Sequence, residues 1–268
     1  MKNYYCKIAL LGIYLISFSM CERDTQLSNC TEDNSSKSLK SGFSSTFSRS
    51  TGKVESILKL PEYGEFVKTW VDLNLWVDKS VSKFNKQKRQ SALLILDKVK
   101  GNFPVADSEI IELLGFESYN SFGRLVEEFD KAAKKLVKVL PVGLNLSDDE
   151  QYNLGELTYT TGLIPVEQFP PEISPDDTLP HVIPASGEES LQRCLDAARN
   201  AYNWCIAITI GVPLATIILE IGTGNFPSAI GLYCTSLGSA LSFSSCDQNY
   251  FRDVDLCVAL HTGGGGAE

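Results

Sequence analysis

Four cysteines near the C-terminal end constrain this chain more than any other feature. Cys194 and Cys205 are eleven residues apart, and so are Cys246 and Cys257. In an α-helix eleven steps of about 100° end about 20° from a whole number of turns, so each pair shares one helix face. The two pairs are also symmetric about the Asn225–Phe226 peptide bond. Two helices doubled back there would set Cys194 opposite Cys257 and Cys205 opposite Cys246. The rival register, Cys194 with Cys246 and Cys205 with Cys234, needs Cys234 and Cys246 on one face, yet twelve residues set them about 120° apart. The spacing therefore predicts an antiparallel helical hairpin over 186–260, stapled by two disulfides and kinked at Pro213. Cys234 is then left for Cys30.

A metal site is the rival use of clustered cysteines. No Cys-x-x-Cys is present, and His181 and His261 stand at no ligand spacing, so the pattern favours sulfur bridges over zinc. The turn of the hairpin is Gly224-Asn225-Phe226-Pro227, and the same four letters recur at Gly101-Asn102-Phe103-Pro104. A phosphate-cradling loop would want several glycines with Lys and Ser or Thr. Both copies read instead as connectors: a left-handed glycine to end a helix, a phenylalanine to pack back, and a proline suited to a first helical turn.

Between Asn200 and Cys246 the only charged residue is Glu220. The strongly apolar stretch over 205–219 falls short of the roughly 20 residues a bilayer span needs, and the returning arm is softened by seven Ser and Thr. Small residues such as Ala229, Gly231, Gly238 and Ala240 suit close helix packing. A buried hairpin is the expectation. The alternative is a membrane-active hairpin similar to those of pore-forming bacteriocins.

The 52–140 region reads as a helical module. Tyr63, Phe66, Trp70, Leu73, Val77, Val81 and Phe84 recur at three- and four-residue steps, which gives one apolar stripe. Ala92, Leu93, Leu94, Ile95, Leu96 and Val99 predict a short buried helix from Ser91, and Asp107 caps another that Gly115 ends. A last helix, opened by Ser118 or Ser121, carries Phe122, Leu125, Phe129, Ala132, Leu136 and Leu140. The basic run Lys83, Lys86, Lys88 and Arg89 reads as a solvated face.

Residues 141–185 differ in kind. Ten acidic residues and no Lys or Arg fall between Pro141 and Ser190, which accounts for the net charge of −9, and seven of the 11 prolines lie between Pro141 and Pro184. This composition predicts an extended, acidic, Pro-rich strap with a short strand at 157–161, either disordered or lying over the domain surface through Leu163, Ile164, Phe169, Ile173 and Val182. Asp148, Asp149, Glu150, Asp176 and Asp177 lack the spaced oxygens and central glycine of an EF-hand and read as solvated loop. The acidic balance also makes nucleic acid an unfavourable partner.

Residues 1–20 have the form of an export signal: Lys2 and Lys7, then an apolar run from Ile8 to Phe18. Two cleavage readings stand. Ser17-Phe18-Ser19 has the small-x-small form of an ordinary site. Phe18-Ser19-Met20-Cys21 resembles the lipobox of bacterial envelope lipoproteins, and that resemblance implies a lipid on Cys21 and a protein held at the cell envelope. Parity favours the second reading. Of the eight cysteines, Cys6 leaves with the signal, and lipid on Cys21 leaves six, all able to pair. Residues 21–51 then read as a Ser-rich tether and 261–268 as a flexible tail.

The fold class expected is mainly α, a helical bundle plus a disulfide-stapled antiparallel hairpin joined by a Pro-rich extended segment. No catalytic motif, metal site or cofactor loop is present, and no catalytic residue stands out. These features together predict a lipid-anchored envelope protein that works by binding or scaffolding. Its partners would be the membrane and an unidentified protein or envelope ligand. A membrane-perturbing protein is the alternative. A carboxylate-based hydrolase is third, because paired Asp and Glu leave no local signature.

Overall fold

The computed structural model describes residues 52–101, 103–169 and 188–262. The order is α1 (Gly52–Leu58), α2 (Pro61–Val81), α3 (Lys86–Lys100), α4 (Asp107–Leu114), α5 (Phe116–Val137), α6 (Asp148–Thr160), a 3-10 turn (Val166–Gln168), α7 (Glu188–Gly222) and α8 (Ala229–Thr262). The expectation of a mainly α chain holds. Residues 1–51, with the signal, the lipidation residue Cys21, the tether and Cys30, lie outside the described residues.

The period of three and four along α2 becomes a buried stripe, with Tyr63, Phe66, Trp70, Leu73 and Val77 all at 0 % exposure. Pro61 opens the helix where its missing N–H costs nothing. The stripe packs on α5 and α8. Aromatic contacts carry it across the layers: Phe66 meets Phe129 of α5 at 4.9 Å, Trp76 meets Phe122 at 5.4 Å, and Phe122 meets Tyr233 of α8 edge-on at 5.4 Å. Each such side chain removed from water contributes about 1.5–3 kcal/mol. One hydrophobic core runs from Val54 to Cys246.

Helix starts differ from expectation in small, explicable ways. Asp107 is already inside α4, and Glu109 does the capping, its carboxylate accepting the Ala106 N–H at 3.0 Å. Gly115, at φ +87, both ends α4 and precedes α5, which therefore starts at Phe116 rather than at Ser118 or Ser121. The third helix starts earlier, capped by Asn85, whose side chain accepts the Lys88 N–H. Of its apolar run, Ala92, Ile95, Leu96 and Val99 are buried, while Leu93 and Leu94 are 50 % and 63 % exposed. A helix has one inward face, and six apolar residues in eight positions overfill it.

The largest difference lies in the strap. Residues 148–160 are helical where extended backbone and a strand at 157–161 are expected. The physical reason is a capping box: Ser147 Oγ accepts the Glu150 N–H, and the Glu150 carboxylate accepts the Ser147 N–H. Asp148, Asp149 and Glu150 are the first helical turn, where negative charge suits the positive helix end, and not a solvated loop. Ile164 and Phe169 do lie on the core, each 2 % exposed. Ile173, Asp176, Asp177 and Val182 fall outside the described residues.

The two Gly-Asn-Phe-Pro connectors also part company. Gly224 has φ +83, the left-handed conformation expected of a helix end. Gly101 has φ −76, and its need for glycine is spatial: a Cβ there would stand 2.8 Å from the Phe103 ring folded over it. Neither proline enters a first helical turn, since α4 starts at Asp107 and α8 at Ala229.

Candidate functional site

The stapled hairpin is the most distinctive assembly in the fold. Cys194 bonds Cys257 with Cα atoms 5.7 Å apart, and Cys205 bonds Cys246 with Cα atoms 5.8 Å apart. Both rungs join α7 to α8 on the face where the eleven-residue spacing repeats. Cys205, Cys246 and Cys257 are buried. Cys234 is wholly buried in α8; its expected partner, Cys30, lies outside the described residues. Ser228 starts α8, its hydroxyl accepting the Gly231 N–H at 3.1 Å.

Beyond the inner rung, the α7 arm is the bundle's central element. Ile206, Ala207, Ile210, Leu214, Ala215, Ile218 and Ile221 are each at 0 % exposure. Pro213 sits inside this helix. Proline removes the N–H that would reach Thr209 O and crowds the carbonyl four residues back. A serine stands at that carbonyl, and a tryptophan donates to the next one. Ser239 Oγ of α8 lies 3.2 Å from Thr209 O, and Trp70 Nε1 of α2 donates to Ile210 O at 3.0 Å. On another side α6 meets α7 backbone to backbone: a Cβ on Gly211 would lie 2.9 Å from Gly155 Cα. Near that crossing Tyr63 OH and Thr158 Oγ1 are hydrogen-bonded, and Thr158 in turn donates to Leu154 O. Burial pushes the Tyr63 phenol well above its ordinary range.

Glu220 is the exception in this apolar arm. It lies two residues from the end of α7, and burial pushes its carboxyl up to about 7. The shift has no charged neighbour among its causes. On α8, Tyr233 OH and Ser236 Oγ are buried with no hydrogen-bond partner among the described residues, and Asn74 Oδ1 of α2 is in the same condition. Such groups cost about 1–3 kcal/mol each. The Tyr233 phenol is raised first by burial and then by the neighbouring Cys234.

A concave site of about 50 Å³ opens between α2, α3, α7 and α8, lined by Asp78, Ser82, Arg89, Tyr202 and Asp247 among others. Two carboxylates and a guanidinium share it. Among the described residues no group of three His, Cys, Asp or Glu side chains is placed to hold a metal ion.

Sequence reasoning places the four hairpin cysteines together, and the structure brings them together in that register. It misses the Asp78–Arg89–Asp247 cleft, whose residues come from helices that no spacing rule connects. It also misses the Gly155–Gly211 crossing. Comparison with known proteins adds no relative: no family model, no curated protein and no solved structure matches the chain.

Proposed function

We propose that the chain is an exported protein of the bacterial cell envelope, anchored by lipid on Cys21, that acts by binding or scaffolding. The observation that supports this reading is the pair of disulfide rungs in α7 and α8, since such bridges persist in oxidising compartments. The rungs lock two long helices into one rod that presents a surface without needing to change shape. Residues 22–51 serve as tether, and the partner is a protein or an envelope ligand. Intact mass of the native protein, taken from membrane and soluble fractions, tests it. The expected result is a diacylglyceryl-type mass increase at Cys21, six thiols lost, four to the two rungs and two to a Cys30–Cys234 bridge, and release from the membrane by Cys21→Ser. A native chain found in the cytosol with every thiol reduced would overturn the reading.

One observation favours the membrane-perturbing alternative. Within α7 the span Ser190–Gly222 is long and apolar enough to cross a bilayer, with a window of mean hydropathy 2.1. That window is also 78 % buried inside the bundle, as the central helix of a water-soluble fold would be. Dye release from vesicles, with and without reductant, separates the two readings: the scaffold leaves vesicles sealed in both states.

A further inference from the structure

The face of α3 turned away from the core combines features that serve no packing role. Leu93 and Leu94 stand 50 % and 63 % exposed, and Phe103, just past the helix, 65 %. They form one patch. Gly101 follows Leu94 by seven residues, two helical turns, and the Phe103 ring lies over Gly101. The ring therefore sits on the Leu94 side, and Leu93 is the adjacent position.

The charge around this patch opposes that of the chain. α3 carries Lys86, Lys88, Arg89, Lys98 and Lys100 against a single acid, Asp97, in a protein of net charge −9. Lys86 lies seven residues before Leu93, two helical turns away on the same side. Arg89 and Lys100 share that side, but Arg89 also lines the cleft with Asp78 and Asp247, and Lys100 pairs with Asp97 at 3.8 Å. Lys83 extends the basic run, and neither Lys83 nor Lys86 makes an ion pair among the described residues. Of the acids of α4, Glu109 pairs with Lys98 and so takes one cation out of the set, while Asp107 accepts a hydrogen bond from Tyr119 OH at 2.8 Å. Glu112 remains as the other acid of that helix.

We infer that α3 and the Phe103 connector form a membrane-docking face that recognises an anionic lipid surface. Apolar side chains on a convex helix flanked by long cations match an interface of acyl chains under anionic headgroups. The chemistry is that of partial insertion: Leu93, Leu94 and Phe103 enter the headgroup boundary while lysine and arginine stems snorkel to phosphate. The buried face, Ala92, Ile95, Leu96 and Val99, stays in the bundle. Docking then orients the folded domain on the bilayer. It does not depend on lipid at Cys21, which holds the chain near the membrane without orienting it.

The test uses the full, oxidised chain with Cys21→Ser, so that no lipid contributes. Vesicles of phosphatidylcholine alone are compared with vesicles that also contain phosphatidylglycerol, by co-sedimentation at two salt concentrations. The expected result is binding to the anionic vesicles only, weakened by salt. Leu93→Ser with Leu94→Ser is expected to lower partitioning about tenfold or more, and Lys83→Glu with Lys86→Glu similarly. Both pairs are exposed, and unchanged circular dichroism and Tm confirm the fold. Equal binding to neutral vesicles, no binding at all, or binding indifferent to both double variants would overturn the proposal. So would a dimer in light scattering that Leu93→Ser with Leu94→Ser dissolves, since the face would then belong to a second copy of the chain.

Discussion

The helices before Pro141 and the hairpin after Ser186 solve the same problem by opposite means. In α2 and α5 an apolar stripe faces in and charge faces out, and the pair is dressed with a surface ion pair, Lys135 to Glu65 at 2.6 Å, of the kind that contributes little. In α7 and α8 the middle of each helix is apolar or small nearly all round. Their register therefore cannot come from a stripe or from charge pairing. It comes from covalent rungs, from a glycine crossing, and from a serine that answers a proline. Amphipathicity tells a helix which way to face, and where it is weak the chain must specify position atom by atom.

Four experiments break or sharpen this contrast. The largest effect is expected at Trp70, the one stripe residue that also serves the hairpin. Trp70→Ala creates a core cavity and strips the donor from Ile210 O, and should cost about 3–5 kcal/mol in chemical denaturation. If Trp70→Phe, which restores most of the volume, recovers only part of that loss, the indole hydrogen bond has been separated from packing.

Removing the inner rung with Cys205→Ala and Cys246→Ala should cost about 3–4 kcal/mol, because the rung closes 41 residues of sequence. Adding reductant to the unmodified protein should lower Tm further, since the outer rung goes too. A Tm indifferent to reductant would mean that packing alone sets the register.

Glycines give a test of opposite signs. Gly211→Ala drives a methyl into the backbone of α6 and should destabilise by about 1–3 kcal/mol. Gly123→Ala in α5 meets nothing within 4 Å and should stabilise by about 0.5–1 kcal/mol through helix propensity. Thermal melts of the two variants, run side by side, give the answer.

The smallest effect is a pH dependence. The Glu220 carboxyl is pushed up to about 7 in the folded chain, above its unfolded value, so the folded state holds the proton more tightly. Its contribution to stability is complete below the unfolded value and is lost as pH rises through about 7. Glu220→Gln should accordingly leave Tm unchanged at low pH and raise it by about 2–4 °C above pH 8. An equal gain at all pH values would assign the effect to something other than ionisation.

How much of this was legible beforehand follows from the physics of each part. The rung register could be read because sulfur bridges demand facing positions, and the eleven-residue repeat fits the helical period. The α2 stripe could be read because six apolar residues, Tyr63 to Val81, keep that period without interruption; Phe84, the seventh, falls just past the helix end. Helix α6 was hidden by its surroundings: the proline density of 165–184 coloured the proline-free residues before it, although Ser147 and Glu150 carry a capping box. The outward turn of Leu93 and Leu94 is hidden because an unbroken apolar run has no phase, and only the neighbours decide which members turn outward. The Gly155–Gly211 contact has no local signal, since nothing in either neighbourhood names the other.

Pro213 has a consequence for how the molecule can be taken apart. The carbonyl it leaves bare, Thr209 O, is approached by a serine on the returning arm, and the next carbonyl along, Ile210 O, accepts from a tryptophan more than a hundred residues upstream. The proline acts as a three-way joint, sound only when all its members are seated. Neither half of the chain, expressed alone, inherits a finished piece: the first half would carry an indole with nothing to grip, and the second a carbonyl, Ile210 O, without the tryptophan that donates to it. Fragments cut at the apparent seam near residue 141 should be recovered together or not at all.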